Sequence, residues 1–427
     1  MNQKTRGNPM ALLPIGIFLL IFIGAGVLSH DFYTMPAIVG FLIALIVAFM
    51  QNRKVSFNDK IHIISKGIGE ENIVTMCLIF LASGAFSGTI TAAGGVESTV
   101  NLGLSIMPAS IAVVGLFVIG CFIYVSMGTS VGTITAMAPI GIGIADKTNI
   151  ALPICMGAIV CGAMFGDNLS MISDTTIAAV RTQGCDMKDK FKENFLIVLP
   201  AAILTGVIFF FIAQGNAGEI SNNLNYEIIK VIPYLVVLVG ALIGINVFII
   251  LITGTALAAA VGIGTGAFAF GELFQKMGEG VTSMYDITVI SIIVAAIVAL
   301  VREHGGIVFI LNLIQKRLKG KRGAELGISI LVLLVDCCTA NNTVAIVMAG
   351  PIAKEISVQY NVSPKRSASL LDIFASVGQG LIPYGAQLLT AAGMAAISPI
   401  AIMPYLFYPI LMGVSAVLFI VFRRRET

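Results

Sequence analysis

The feature that most limits the fold is the length of chain that passes without a charge. None occurs from Ser98 to Ala145, and none again from Thr148 to Gly166. A helix needs only about 20 apolar residues to cross a bilayer. Runs of this kind recur to the end of the chain. They are continuous rather than alternating, which points to helices and away from a β-barrel. Composition agrees, at 57% hydrophobic and 11% charged, where a soluble domain is about a quarter charged. The expected fold class is therefore an all-α polytopic membrane protein.

Spans are predicted at 10–28, 34–50, 72–93, 195–213, 286–301 and 399–422, with interrupted spans at 150–180 and 366–393. The stretch 229–270 is about twice a span length and is split near Gly244–Asn246. Lys4 and Arg6 precede the first apolar run, but no small-residue cleavage site follows, so that run reads as a retained span rather than a signal peptide. With both termini placed on the cytoplasmic side, only Lys147, Lys230 and Lys276 of the 25 Lys and Arg fall outside. That is the bias of a cytoplasmic-membrane protein. The count closes only if 105–146 and 326–357 each return to the side they entered from. Each is accordingly a re-entrant hairpin or two tight spans; the polar tips without Lys or Arg favour hairpins, beside about ten full spans.

An internal repeat is also expected. At an offset of 212, Ile134, Pro139, Ile140, Asn149, Gly166 and Leu169 meet Ile346, Pro351, Ile352, Asn361, Gly378 and Leu381. The charge count turns the two copies upside down relative to each other, as in many secondary transporters. The expected organisation is two N-terminal spans with a cytoplasmic linker (1–71), repeat 1 (72–213), connecting spans (214–285), repeat 2 (286–422) and a cytoplasmic tail (423–427).

Much chemistry is excluded. The seven Cys form no CxxC pair, and the three His form no HExxH, so a zinc or redox site is not expected. No Walker A sequence supports ATP-driven pumping. No nucleophile–base pair marks an enzyme, no cofactor is expected, and nothing points to nucleic acid. Arg302-Glu303-His304 and Glu70-Glu71 read as surface charge. The segment 307–319 reads as an amphipathic helix with a basic face along the inner leaflet.

One segment stands apart, FGDNLSMISDTT at 165–176. Intramembrane carboxylates are costly and usually functional. On one helix Asp167, Ser170 and Asp174 form a stripe, the carboxylates roughly 10 Å apart. Asn168 and Gly166 flank Asp167 and suit a local break that frees carbonyls. Carboxylate, amide and carbonyl oxygens are what a hard cation binds. Asp167 and Asn168 are therefore the expected Na+ ligands, with proton and cation competing for Asp167. The alternative is that Asp167 and Asp174 cap broken helix ends, with Ser173-Asp174 as one such cap. In the second copy Gln379 stands where Asp167 stands, with Gln387 two turns on. Asp372 is either a proton acceptor or the partner of Lys365 or Arg366. The first hairpin tip offers Ser126, Thr129, Ser130 and Thr133; the second offers Asp336, Thr339, Asn341, Asn342 and Thr343. Each tip precedes a helix start, which can hold an anionic group. The alternative is that these hydroxyls only bond neighbouring carbonyls.

With these residues in view, the chain resembles the NhaC-type Na+/H+ antiporter family. The resemblance rests on GTSVGTITAMAPIG (128–141), FGDNLSMISDTT (165–176), CCTANNTVAIVMAGPIAKEIS (337–357) and LLDIFASVGQGLIPYGAQ (370–387), and covers roughly 70–420. It belongs to a wider group of ion transporters with two re-entrant hairpins beside two broken helices. The resemblance implies Na+/H+ antiport, with cation-coupled transport of an amino acid or small organic acid as the alternative. The expected partners are membrane lipid, Na+ and H+, with a small organic solute and a homodimer left open.

Overall fold

A computed structural model describes residues 7–29, 35–106, 108–127, 129–148, 150–170, 173–216, 224–243, 245–315 and 320–422. Among them there are helices and no strands. In order they are α1 (Leu13–Ser29), α2 (Ala37–Met50), α3 (Phe57–Ile68), α4 (Glu71–Ala92), α5 (Gly95–Ile106), α6 (Ala109–Met127) and α7 (Ser130–Thr148). Then follow α8 (Leu152–Leu169), α9 (Asp174–Gln183), α10 (Met187–Asn216), α11 (Ile228–Leu242), α12 (Val247–Gly264), α13 (Phe270–Ser283) and α14 (Tyr285–Glu303). The chain ends with α15 (Gly306–Gln315), α16 (Gly320–Thr339), α17 (Asn342–Gln359), α18 (Pro364–Leu381), α19 (Ala386–Ala395), α20 (Pro399–Ile402) and α21 (Phe407–Phe422). The expected split of 229–270 is the gap between α11 and α12. The last expected span is instead three pieces, since a short 3-10 turn at Met403–Tyr405 separates α20 from α21.

Among the described residues four helices are long and apolar enough to cross a membrane singly, or six when two bent pairs are each taken as one span. Five more apolar helices are shorter. Length alone thus gives fewer crossings than the ten or so read from the sequence. Burial is arranged as lipid requires, with large apolar side chains outward, among them Leu20, Phe122, Ile203 and Phe211. Carboxylates, amides and a lysine lie inside, far from the pattern of a water-soluble domain.

Two helices form the centre. From Ile154 to Leu169 every residue of α8 except Phe165 is buried, as is every residue of α18 from Arg366 to Gly380. The two touch, α8 packing on α6 and α7, and α18 on α16 and α17. Both stop abruptly and resume as short helices. The second break is dictated by Pro383, which has no N–H to donate and pushes Ile382 into extended backbone (φ −74°, ψ 125°). The first has no proline. Ser170 leaves the helix (φ −78°, ψ 135°), and Ser173 caps α9 by accepting from the Thr176 N–H. Asp167, Ser170 and Asp174 therefore do not share one helical stripe. α9 then packs on α17 and α18, while α19 packs on α7 and α8. Each broken end is held by the helical pair of the other half.

Candidate functional site

The last carbonyls of a helix have no partner within it, and at the end of α8 polar side chains take them. The Asp167 carbonyl accepts from Thr176 Oγ1 at 3.4 Å. The Asn168 carbonyl accepts from Lys190 Nζ and Asn194 Nδ2, both at 3.0 Å. An ammonium here also faces the negative end of the helix dipole. Lys190 further donates to Thr176 Oγ1 at 2.7 Å and pairs with Asp372 Oδ2, which Asn194 Nδ2 reaches at 3.1 Å.

Two expectations are corrected by this cluster. Lys190, counted among the loop cations, is 1% exposed, because α10 begins at Met187 and turns the face with Lys190, Glu193 and Asn194 inward while Lys188 and Lys192 stay exposed. Asp372 pairs with that lysine rather than with Lys365 or Arg366. Arg366 instead faces Glu193 at 3.2 Å and Glu325 at 3.6 Å.

Among the described residues the Asp167 carboxylate is the most heavily bonded buried side chain. Its Oδ1 accepts from Tyr124 Oη, from Thr175 Oγ1 at 2.9 Å and from Ser173 Oγ at 3.2 Å. Its Oδ2 accepts from Asn342 Nδ2 at 2.7 Å and Ser376 Oγ at 2.9 Å. Five donors come from α6, the first break with α9, the start of α17, and α18. Four of them are hydroxyls, each carrying two lone pairs besides its proton. Turned about their C–O bonds, they offer oxygens to a cation on Asp167, and Asn342 can do so with its amide oxygen. Tyr124 reaches the carboxylate because position 166 is glycine, where a Cβ would run into the tyrosine ring.

A second, neutral cluster lies at the other break. Gln379 Nε2 donates to the Ala340 carbonyl at 3.2 Å and to Gln387 Oε1 at 2.6 Å, and Gln387 Nε2 donates to Ser130 Oγ at 2.7 Å. The members correspond at the offset of 212. Asp167, Thr175 and Asn342 in the first cluster match Gln379, Gln387 and Ser130 in the second. Tyr124 matches Asp336, and a Cβ at Gly378 would lie 2.6 Å from Asp336 Oδ2. Asp336 is wholly buried, and neither of its carboxyl oxygens has a hydrogen-bond partner.

Other expected residues serve the backbone. Ser170 Oγ donates to the Val125 carbonyl at 3.2 Å, and Thr133 Oγ1 to the Thr129 carbonyl at 2.9 Å. Thr129 Oγ1 accepts from the Gly132 N–H, and Thr339 Oγ1 donates to the Asn341 carbonyl. Asn341 caps α17 by accepting from the Val344 N–H at 3.0 Å, and the Thr343 N–H donates to Asn342 Oδ1. The side chains of Ser126 and Asp174 lie outside the described residues, as do Lys316–Lys319 and the tail 423–427. Tyr124, Thr175, Lys190, Asn194 and Ser376 were not singled out from the sequence, and Ser173 was expected only as a helix cap beside Asp174. Ser173, Thr175 and Ser376 lie within the quoted motifs, and Tyr124 answers Asp336 at the repeat offset. Lys190 and Asn194 have only their i, i+4 spacing to mark them.

A malate-2H+/Na+-lactate antiporter of Bacillus subtilis is 21% identical over 430 residues, covering 93% of this chain and 90% of that protein. An arginine/ornithine antiporter, ArcD, of Halobacterium salinarum is 22% identical over 97% of this chain and 92% of its own length. The Na+/H+ antiporter NhaC of Alkalihalophilus pseudofirmus is 28% identical over 50% of this chain and 46% of that protein. The sequence pattern of the Na+/H+ antiporter family matches residues 9–214 and 219–423, almost the whole chain, and the protein is a membrane-embedded member of that family.

Proposed function

We propose that the protein is a secondary antiporter that exchanges Na+ for H+, with Na+ held at Asp167. The observation that carries this is the convergence of five donors from four parts of the chain on one buried carboxylate. Without a cation these donors compensate the charge. With one, the four hydroxyls and the Asn342 amide turn their oxygens inward as ligands, the oxygen-rich shell that hard cations take. The Asn168 contribution is its backbone carbonyl, occupied by Lys190 in this state.

The two halves are inverted repeats, with α6–α7 and α16–α17 as re-entrant hairpins and both termini cytoplasmic. Support comes from the matching bounds of α8 and α18, and of α9 and α19, at the repeat offset. The interlocked packing of broken ends and hairpins supports it further.

A second reading has one specific ground. The relatives matched over nearly their full length exchange organic acids or amino acids by name. The Gln379–Gln387–Ser130 amide cluster beside the cation carboxylate is the chemistry for such a solute, with Gln379 Oε1 still unpartnered. Everted vesicles decide between them. Addition of Na+ or Li+ is expected to dissipate an imposed proton gradient, and Asp167→Asn to abolish the response while the protein still inserts. No cation response, together with thermal stabilisation by a small carboxylate or amino acid, would replace the first reading by the second.

A further inference from the structure

Among the described residues three aspartates are buried near the broken helices, and their surroundings set them apart. Asp167 accepts five hydrogen bonds. Asp372 is matched by the Lys190 ammonium and by Asn194. Asp336 is as deeply buried as Asp372, yet no donor reaches either of its oxygens. An ionised carboxylate in such a place has nothing to offset its lost hydration, which costs several kcal/mol. A protonated carboxyl avoids most of that cost.

We propose that Asp336 is a proton-binding site separate from the cation carboxylate Asp167, and that it carries its proton in the state seen here. The proposal rests on the cation-exchange reading above and changes it in one respect. Proton and cation occupy different carboxyls instead of competing for one.

The surroundings suit the role. The ionisable groups around Asp336 are Asp167, the adjoining Cys337 and Cys338 thiols, and the Tyr384 phenol. None of these is a cation. Tyr384 Oη is engaged with the Cys337 carbonyl at 2.5 Å, so it does not serve the carboxyl. A Cβ at position 378 would fill the space that the carboxyl uses, as a Cβ at 166 would displace Tyr124. The same place in the two halves thus holds a hydroxyl donor in one and a carboxyl in the other.

A cavity of about 40 Å³ reaches the end of α16, three residues past Asp336, where Thr339, Ala340, Asn341 and Tyr384 line it, with Glu70 and Arg302 also in its wall. It has room for about two or three waters. On release the O–H bond of Asp336 breaks, the proton passes to water on this route, and a carboxylate remains. That new charge attracts a cation to Asp167, and a departing cation favours reprotonation. Two sites linked in this way exchange one ion for the other.

Purified protein in proteoliposomes provides the test. Wild-type protein is expected to take up radiolabelled Na+ under a pH gradient and to show Na+/Na+ counterflow without one. Asp336→Asn is expected to lose gradient-driven uptake by about tenfold or more while counterflow persists, and Asp336→Glu to recover part of the driven uptake. Infrared spectra of the Na+-free protein should show a protonated-carboxyl band that remains in Asp167→Asn and disappears in Asp336→Asn. If Asp336→Asn does not fold, a shift of that band in Asp336→Glu decides the point. Driven uptake at the wild-type level in Asp336→Asn, or a band untouched by substitution at 336, overturns the proposal. A wild type that moves no Na+ refutes the exchange reading instead, and the infrared band still decides whether Asp336 holds a proton.

Discussion

At the scale of single residues, Lys190 decides how charge is distributed in the interior. It pairs with Asp372 and occupies the Asn168 carbonyl, so among the described residues Asp167 has no ammonium or guanidinium partner, as the proposed cation site requires. Removing one partner of a buried ion pair costs about 3–5 kcal/mol, because the other charge is stranded. Lys190→Met should therefore lower the unfolding temperature in detergent markedly. The double variant Lys190→Met with Asp372→Leu should recover most of the loss. An unaltered melting temperature in the single variant would show that the pair is not formed in the native protein. Nothing in the sequence announces this lysine. It sits among Lys188, Lys192 and the acidic residues of an amphiphilic helix start, which look the same whether they face water or enter the protein. Asp167 was legible for the opposite reason, since it follows an uncharged run from Thr148 to Gly166.

At the scale of helices, what could be read depended on which device ends each one. Pro383 announces the second break, because a ring nitrogen cannot donate to the helix. The first break is made by Ser170 and Ser173, which fit as well inside a helix as at its end, and the expected Asp167–Ser170–Asp174 stripe failed there. Close packing of α4 on α13 is another helix-scale property. Cβ atoms on Gly84, Gly88 or Gly280 would collide with the facing backbone, so these glycines set the distance between the two helices. Gly280→Leu is expected to destabilise the protein by about 1–3 kcal/mol through overpacking, measured by thermal unfolding, with apparent Na+ affinity unchanged. A loss of Na+ affinity would mean that α13 takes part in the site.

His304, which ends α14, is buried rather than part of a surface cluster. Burial, helped by the nearby Lys60 ammonium and opposed by Glu303, holds its imidazole below the usual range. The unfolded chain then takes up this proton before the folded chain does. Its contribution to stability is complete above about pH 6.5 and falls as the pH drops below that value. Melting temperatures should decline on acidification in wild-type protein and decline less in His304→Gln. Equal slopes for the two would remove His304 from the account.

At the scale of the molecule, two halves exchange their broken ends, and the polar groups of both meet at the centre. The expected repeat set Gly166 against Gly378, and the helix bounds at the two breaks keep that offset of 212. The offset could not say how the polar shells are completed, because that depends on contacts across the halves. Asn342 and Ser376 of the second half complete the shell of Asp167, while Ser130 of the first completes that of Gln387. The central claim is that Asp167 holds the cation within this shared shell. Equilibrium binding of radiolabelled Na+ to the purified protein tests it most directly. The account predicts saturable binding to the wild type and its loss in Asp167→Asn, with the variant still folded. Na+ binding of unchanged affinity in Asp167→Asn would contradict it.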